Sequence, residues 1–215
     1  MIFDLWDTLV DYPAERAQEL ERVWADRLGV APEDFHERWR AERPKRDVGT
    51  LADSLRAVGA PDDLVGEFVA MRHAFTRELL VPRPGALETL RELRRRGLAL
   101  GLITVCSEEV GMLWEETAFA GLFDATVFSA ACGLRKPDPE IYLLACRQLE
   151  VEPGECLFVG DGANDELAGA ERLGMRAVLI HRDGADPLWE EARRFEGPRI
   201  TSIPEVLALP GSAER

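Results

Sequence analysis

Lysine is almost missing from this chain of 215 residues: Lys45 and Lys136 stand alone, and every other basic side chain is arginine. Basic residues as a whole are few, 26 against 40 acidic, for a formal net charge of −14. A field of that sign repels phosphate backbones and disfavours nucleic acid as a partner. Cysteine is sparse as well. Cys106, Cys132, Cys146 and Cys156 form no C-x-x-C pair, and no histidine stands at zinc-ligand spacing from them, so free thiols are expected. No run approaches the ~18–20 apolar residues of a membrane helix. The N-terminus shows no basic segment leading into an apolar one. The expectation is a cytoplasmic protein that engages no membrane. Hydrophobic residues make up 46% of the chain and charged ones 31%, which suits a folded globule rather than a disordered chain.

Two textures follow one another. Residues 14–80 carry apolar positions at helical spacing only: Leu20, Val23, Trp24 and Leu28, then Phe35 and Trp39, then Leu64, Phe68, Met71 and Phe75. The stretch "VPRPG" at 81–85 breaks that pattern. Beyond it, apolar runs at 98–104, 125–130, 156–159 and 176–181 alternate with helical segments at 85–96, 107–121, 139–149 and 165–173. With the opening run at 1–3, this predicts an α/β fold: a parallel, Rossmann-like sheet with helices on both faces. Residues 1–13 and 81–215 would form that core, and 14–80 a small all-helical cap. The first strand is short, with three residues before Asp4.

Right-handed crossovers bring the carboxyl ends of such strands to one edge. The residues that follow the apolar runs are Asp4, Thr104, Ser107, Lys136 and Asp161, with Asp165 and Glu166 close behind. Clustered carboxylates repel one another and call for a cation, and an all-oxygen donor set suits Mg²⁺. Beside such a cation Asp4 stays ionised and can attack an electrophilic phosphorus. Thr104 and Lys136 would hold the remaining phosphoryl oxygens. Among the cap arginines, Arg43 and Arg46, beside the break at Pro44, are the candidates for an anionic remote end of a small-molecule substrate. Trp6 is a candidate wall of the same pocket. Ser107 is read as a helix cap that also stands within reach of a phosphate.

The combination resembles the haloacid dehalogenase-like superfamily. "FDLWDTL" resembles its first motif, with Asp4 as the nucleophile and Thr8 as the motif threonine. "LGLITVCS" resembles the second, with Thr104; "LRKPDPEIY" the third, with Lys136; and "VGDGANDELAGAERLGM" the fourth, with Asp161 and either Asp165 or Glu166 as acidic metal ligands. The resemblance implies a Rossmann-like core, a cap between the first and second motifs, an aspartyl intermediate, and a metal site completed by the backbone carbonyl of Trp6. A monomer or a homodimer is compatible with it.

Trp6 departs from the pattern. The family's phosphatases carry a second aspartate there, which protonates the leaving group and activates water. An indole cannot transfer protons near neutral pH. Asp7, one residue on, is the candidate replacement. The leading expectation is therefore a Mg²⁺-dependent phosphatase for a small phosphorylated molecule. The alternatives are a 2-haloacid dehalogenase, whose halide leaves without a proton, and a non-catalytic ligand-binding or interaction protein on the same fold.

Overall fold

The computed structural model describes residues 1–181 and 186–210. Its centre is one six-stranded parallel sheet. The strands are β1 (Ile2–Phe3), β2 (Gly101–Thr104), β3 (Ala125–Phe128), β4 (Leu157–Gly160), β5 (Arg176–Ile180) and β6 (Arg199–Ile200), in the order β3-β2-β1-β4-β5-β6. This is the Rossmann-like α/β architecture, with the order reversing at β1. Although β1 has two residues, it is central: Phe3 registers with Leu102 on one side and Val159 on the other.

The alternation of side chains along each strand explains the apolar runs. Phe3, Leu102, Val159 and Val178 point into one apolar cluster, and their neighbours Ile2, Ile103, Phe158 and Leu179 into another on the opposite face. Helix α6 (Ala86–Arg95) covers the first face through Leu90 and Leu93. Helices α9 (Pro139–Leu149) and α10 (Glu166–Arg172) cover the second through Ile141, Ala145, Leu167 and Ala170. Burial on both faces leaves little room for polar side chains in the strands.

Five helices lie between β1 and α6: α1 (Ala14–Leu28), α2 (Pro32–Ala41), α3 (Arg43–Arg46), α4 (Leu51–Ala57) and α5 (Asp62–Leu79). Local chemistry sets their ends. Gly29 closes α1 in the left-handed conformation, Pro32 opens α2, and the Thr50 hydroxyl accepts from the Asp53 N–H to cap α4. They gather around an apolar centre of their own, in which Trp24 stacks on Phe68 and meets Phe35 and Trp39 edge-on. Among the described residues, no helix is long and apolar enough to cross a membrane.

Four elements differ from the pattern read in the sequence. The helix expected over 107–121 ends early, as α7 (Glu108–Leu113) and a 3-10 turn at Trp114–Glu116. Thr117 ends it: its hydroxyl donates to the Trp114 carbonyl and accepts from the Phe119 N–H, in competition with the helix. The run at 125–130 turns helical after Phe128, as α8 (Ser129–Cys132). A short helix, α11 (Glu190–Arg194), and β6 are too brief to leave a periodic signal.

Trp24 is fully buried at the heart of the five-helix segment. Trp24→Ala should cost about 3–5 kcal/mol, as a large aromatic cavity does. Chemical denaturation followed by circular dichroism checks it; a loss under 1 kcal/mol would mean that this cluster carries little of the stability.

Candidate active site

At the carboxyl edge of the sheet, Lys136 is the point of convergence. Its ammonium donates to Asp4 Oδ1 at 2.5 Å, to the Ile103 carbonyl at 3.2 Å, and to Glu166 Oε2. The loop that carries it is set by its own sequence. Asp138 caps α9 by accepting from the Glu140 N–H, and Pro139 fills the first helical position. Tyr142, one turn into that helix, donates from its hydroxyl to the Glu166 carbonyl at 2.9 Å. Glu166 also accepts from the Gly162 N–H at 3.0 Å. Gly160 makes room for it: a β-carbon there would lie 2.0 Å from Glu166 Oε1.

Asp4, Asp161 and Glu166 are all buried, and each offers a carboxylate oxygen within 4.8 Å of the others. Burial pushes the Asp4 carboxyl up to about 6, with Lys136 opposing and Asp161 adding to the shift. Burial likewise raises Asp161 and, more strongly, Glu166. Burial alone would depress Lys136, but Asp4 and then Glu166 outweigh it and hold the ammonium well above its ordinary value. Three carboxylates face one ammonium, so negative charge is left over. Hard oxygen donors with that excess fit a divalent cation such as Mg²⁺.

A cavity of about 510 Å³ opens over this cluster, between the sheet edge and the five-helix segment. Asp4, Lys136 and Asp161 line its floor; Trp6, Asp7, Arg43, Arg46 and Ser107 line its walls. Trp6 is half-buried, its ring edge-on to Tyr12 at 5.3 Å. Asp7 lies in a left-handed turn (φ 52°), accepts from the Tyr12 N–H at 3.1 Å, and adds to the upward push on Asp161. Arg83 clamps that turn by donating to the Asp7 and Thr8 carbonyls.

Other residues singled out in the sequence lie elsewhere or bond differently. Thr104 and Thr8 are fully buried with unpartnered hydroxyls, and neither lines the cavity. Ser107 holds the N-cap position of α7, but its hydroxyl donates to Glu109 rather than capping the helix. Of Asp165 and Glu166, only Glu166 joins the acidic cluster. Asp165 stands in a left-handed conformation (φ 54°) and its carboxylate pairs with Arg172 at 3.2 Å. Lys45 is exposed and pairs with Glu42.

Three residues of the cavity were not anticipated. Arg72 lines it and forms a buried pair with Glu109 at 2.7 Å. A visible signal existed: Arg72 interrupts the apolar stripe of Phe68 and Phe75. Asp47 receives Arg43 and Arg135, and its carbonyl accepts from the Ser129 hydroxyl at 2.5 Å. Trp189 donates from its indole to Asp161 at 2.5 Å. Nothing local marks those two.

Residues 1–174 match the haloacid dehalogenase-like hydrolase family. Phosphoglycolate phosphatase of Pseudomonas putida is 30% identical over all of this chain and 79% of its own length. Glyceraldehyde 3-phosphate phosphatase of Methanopyrus kandleri is 36% identical over 60% of this chain; the match spans 56% of that enzyme, little more than half its length. Among solved structures, a phosphatase of the family from Thermococcus onnurineus superposes with a TM-score of 0.75 at 23% identity, covering 100% of this chain and 98% of that one. Structures of 2-haloacid dehalogenases share the fold too.

The raised Asp4 carboxyl has a consequence for stability. The folded chain holds that proton longer than the unfolded chain does, so stability falls as pH climbs from 3.8 to about 6. Asn mimics the protonated group. In chelator, Asp4→Asn should be more stable than wild type by roughly 2–3 kcal/mol at pH 7.5, and the gap should close towards pH 4. Denaturant titration at both pH values measures it; an equal gap at both would place the strain elsewhere.

Proposed function

The chain belongs to the haloacid dehalogenase-like hydrolases, and from that premise we propose that it cleaves phosphate monoesters of small, additionally anionic molecules through Asp4 with Mg²⁺. The phosphatase-like character rests on its curated relatives. The finer reading rests on one observation, the buried trio Asp4, Asp161 and Glu166 around Lys136. Expelling halide needs no cation, so it does not call for a cluster with this excess of negative charge.

In this reading Asp4, the Trp6 carbonyl, Asp161 and Glu166 hold Mg²⁺, with Asp165 left to its surface pair. The cation, when bound, offsets charge on the phosphoryl oxygens and lets Asp4 stay ionised. Lys136 fixes one Asp4 oxygen and leaves the other for attack on phosphorus. The ester oxygen departs, and an aspartyl phosphate remains on Asp4. Ser107, on the cavity wall, stands towards the phosphoryl group, and the buried Thr104 and Thr8 support the strand end and the turn behind the nucleophile. Asp7 gives the departing oxygen its proton, then takes one from the water that cleaves the acyl phosphate. The five helices of residues 14–80 act as a cap that excludes bulk water from the first step.

Arg46 supports the anionic substrate class. It is 8% exposed, lies 3.8 Å over the Trp39 ring, and donates one hydrogen bond, to the Trp39 carbonyl at 2.9 Å. Burial, and then the like charge of Arg72, lower it to about 10. A buried guanidinium on a cavity wall with no ion pair among the described residues is costly unless a ligand anion meets it. Arg43, already paired with Asp47 and more exposed, assists at the rim.

Phosphate release from p-nitrophenyl phosphate should require Mg²⁺ and disappear in Asp4→Asn. Asp7→Asn should lower kcat by about 10²–10⁴-fold. Halide release from 2-chloropropionate without Mg²⁺ would replace this reading with the dehalogenase that Trp6 would suit. Arg46→Ala should raise KM about 10–100-fold for phosphorylated carboxylic acids and leave p-nitrophenyl phosphate nearly unaffected. Equal losses on both would remove Arg46 from substrate recognition.

A further inference from the structure

The indole of Trp189 donates to Asp161 Oδ2, and the backbone N–H of Ala163 donates to Asp161 Oδ1 at 3.1 Å. We propose that Trp189 is a positioning residue: it fixes the plane of the Asp161 carboxylate so that the lone pairs left free face Asp4 and Glu166, where the cation binds. The proposal rests on the Mg²⁺-dependent reading above.

A carboxylate held at one oxygen still swings about that bond. Held at both, it has one orientation, and the cation need not impose it. Carboxylates that ligate metals are commonly fixed by such outer hydrogen bonds. An indole suits the task because it only donates and does not titrate. It cannot compete for the cation, and it adds no charge to a cluster that already has an excess. Burial raises Asp161, while the Ala163 N–H and then Trp189 pull it back towards the ionised form a ligand needs.

The segment that carries Trp189 is built onto the acidic loop. Helix α11 follows it directly and packs on the turn at 162–165. Gly162 is in the left-handed region (φ 85°), and a β-carbon there would lie 2.5 Å from the Ala192 β-carbon. The Arg193 N–H donates to the Trp189 carbonyl at 3.1 Å, and the Arg193 side chain to the Pro187 carbonyl at 3.0 Å. Arg199 gathers the carbonyls of Ala192, Arg193 and Phe195 at the far end of the helix. Trp189 is therefore held independently of any ligand. It also lies beyond residue 174, where the family match ends.

Isothermal titration of the full chain with Mg²⁺ tests this, using wild type, Trp189→Phe, Trp189→His and Asp161→Asn, with a thermal melt of each metal-free protein. Trp189→Phe keeps a ring and loses the N–H; it should bind Mg²⁺ about 10–100-fold more weakly with a metal-free melt close to wild type. Trp189→His restores a ring N–H and should recover part of the affinity. In assays, the activity lost in Trp189→Phe should return at saturating Mg²⁺, a recovery that a packing defect would not show. Wild-type affinity in Trp189→Phe would overturn the proposal and leave Trp189 as packing. No Mg²⁺ binding by wild type would overturn it too, but through failure of the Mg²⁺-dependent reading rather than of Trp189.

Discussion

A buried ammonium is the constraint around which the core is arranged. Lys136 is 2% exposed, and an isolated charge at that depth would cost several kcal/mol. It is tolerated because Asp4 at the end of β1, the Ile103 carbonyl in β2 and Glu166 at the start of α10 all meet it. Three separate chain segments are thereby held to one point. Their packing follows: Gly160 lacks a side chain where Glu166 must pass, and Gly169 lacks one where the Tyr142 hydroxyl reaches the Glu166 carbonyl. The ammonium also divides the labour among the acids. It does not cancel all three carboxylates, and the remaining charge suits a cation.

A second set of charges joins the helices of residues 14–79 to the sheet. Arg72 and Thr76 on α5 meet Glu109 on α7, and burial of Glu109 is outweighed by Arg72, which holds its carboxyl below the usual range. Asp47 reaches Ser129 and Arg135 of the core, and the Leu51 N–H donates to Glu108. These contacts set the roof of the cavity over Asp4 and bring Arg46 to its wall. The apolar centre around Trp24 makes the roof firm, so the position of Arg46 over Trp39 is a consequence of packing rather than of a flexible surface chain.

Much of the site was legible because its residues stand directly after apolar runs. Asp4, Lys136 and Asp161 line the cavity floor as their positions implied. Thr104 was placed at its strand end by the same reasoning, yet its hydroxyl faces packed protein. The sequence could not separate Asp165 from Glu166. Adjacent residues in a turn differ by backbone rotation, and the left-handed φ of Asp165 sends its carboxylate out to Arg172. Arg72 was detectable as a charge in an apolar stripe. Asp47 and Trp189 were not, because their partners lie 82 and 28 residues away in the chain.

The sequence by itself determined the alternation of strands and helices, the face each strand residue takes, and which side chains stand at the strand ends. Those depend on period and on short-range steric rules, which a chain carries locally. Only the tertiary structure decided which acid joins the cluster, which arginine is buried at the cavity with no ion pair among the described residues, and which indole holds Asp161. Each of those is an orientation, and an orientation is set by groups that the fold brings in from elsewhere.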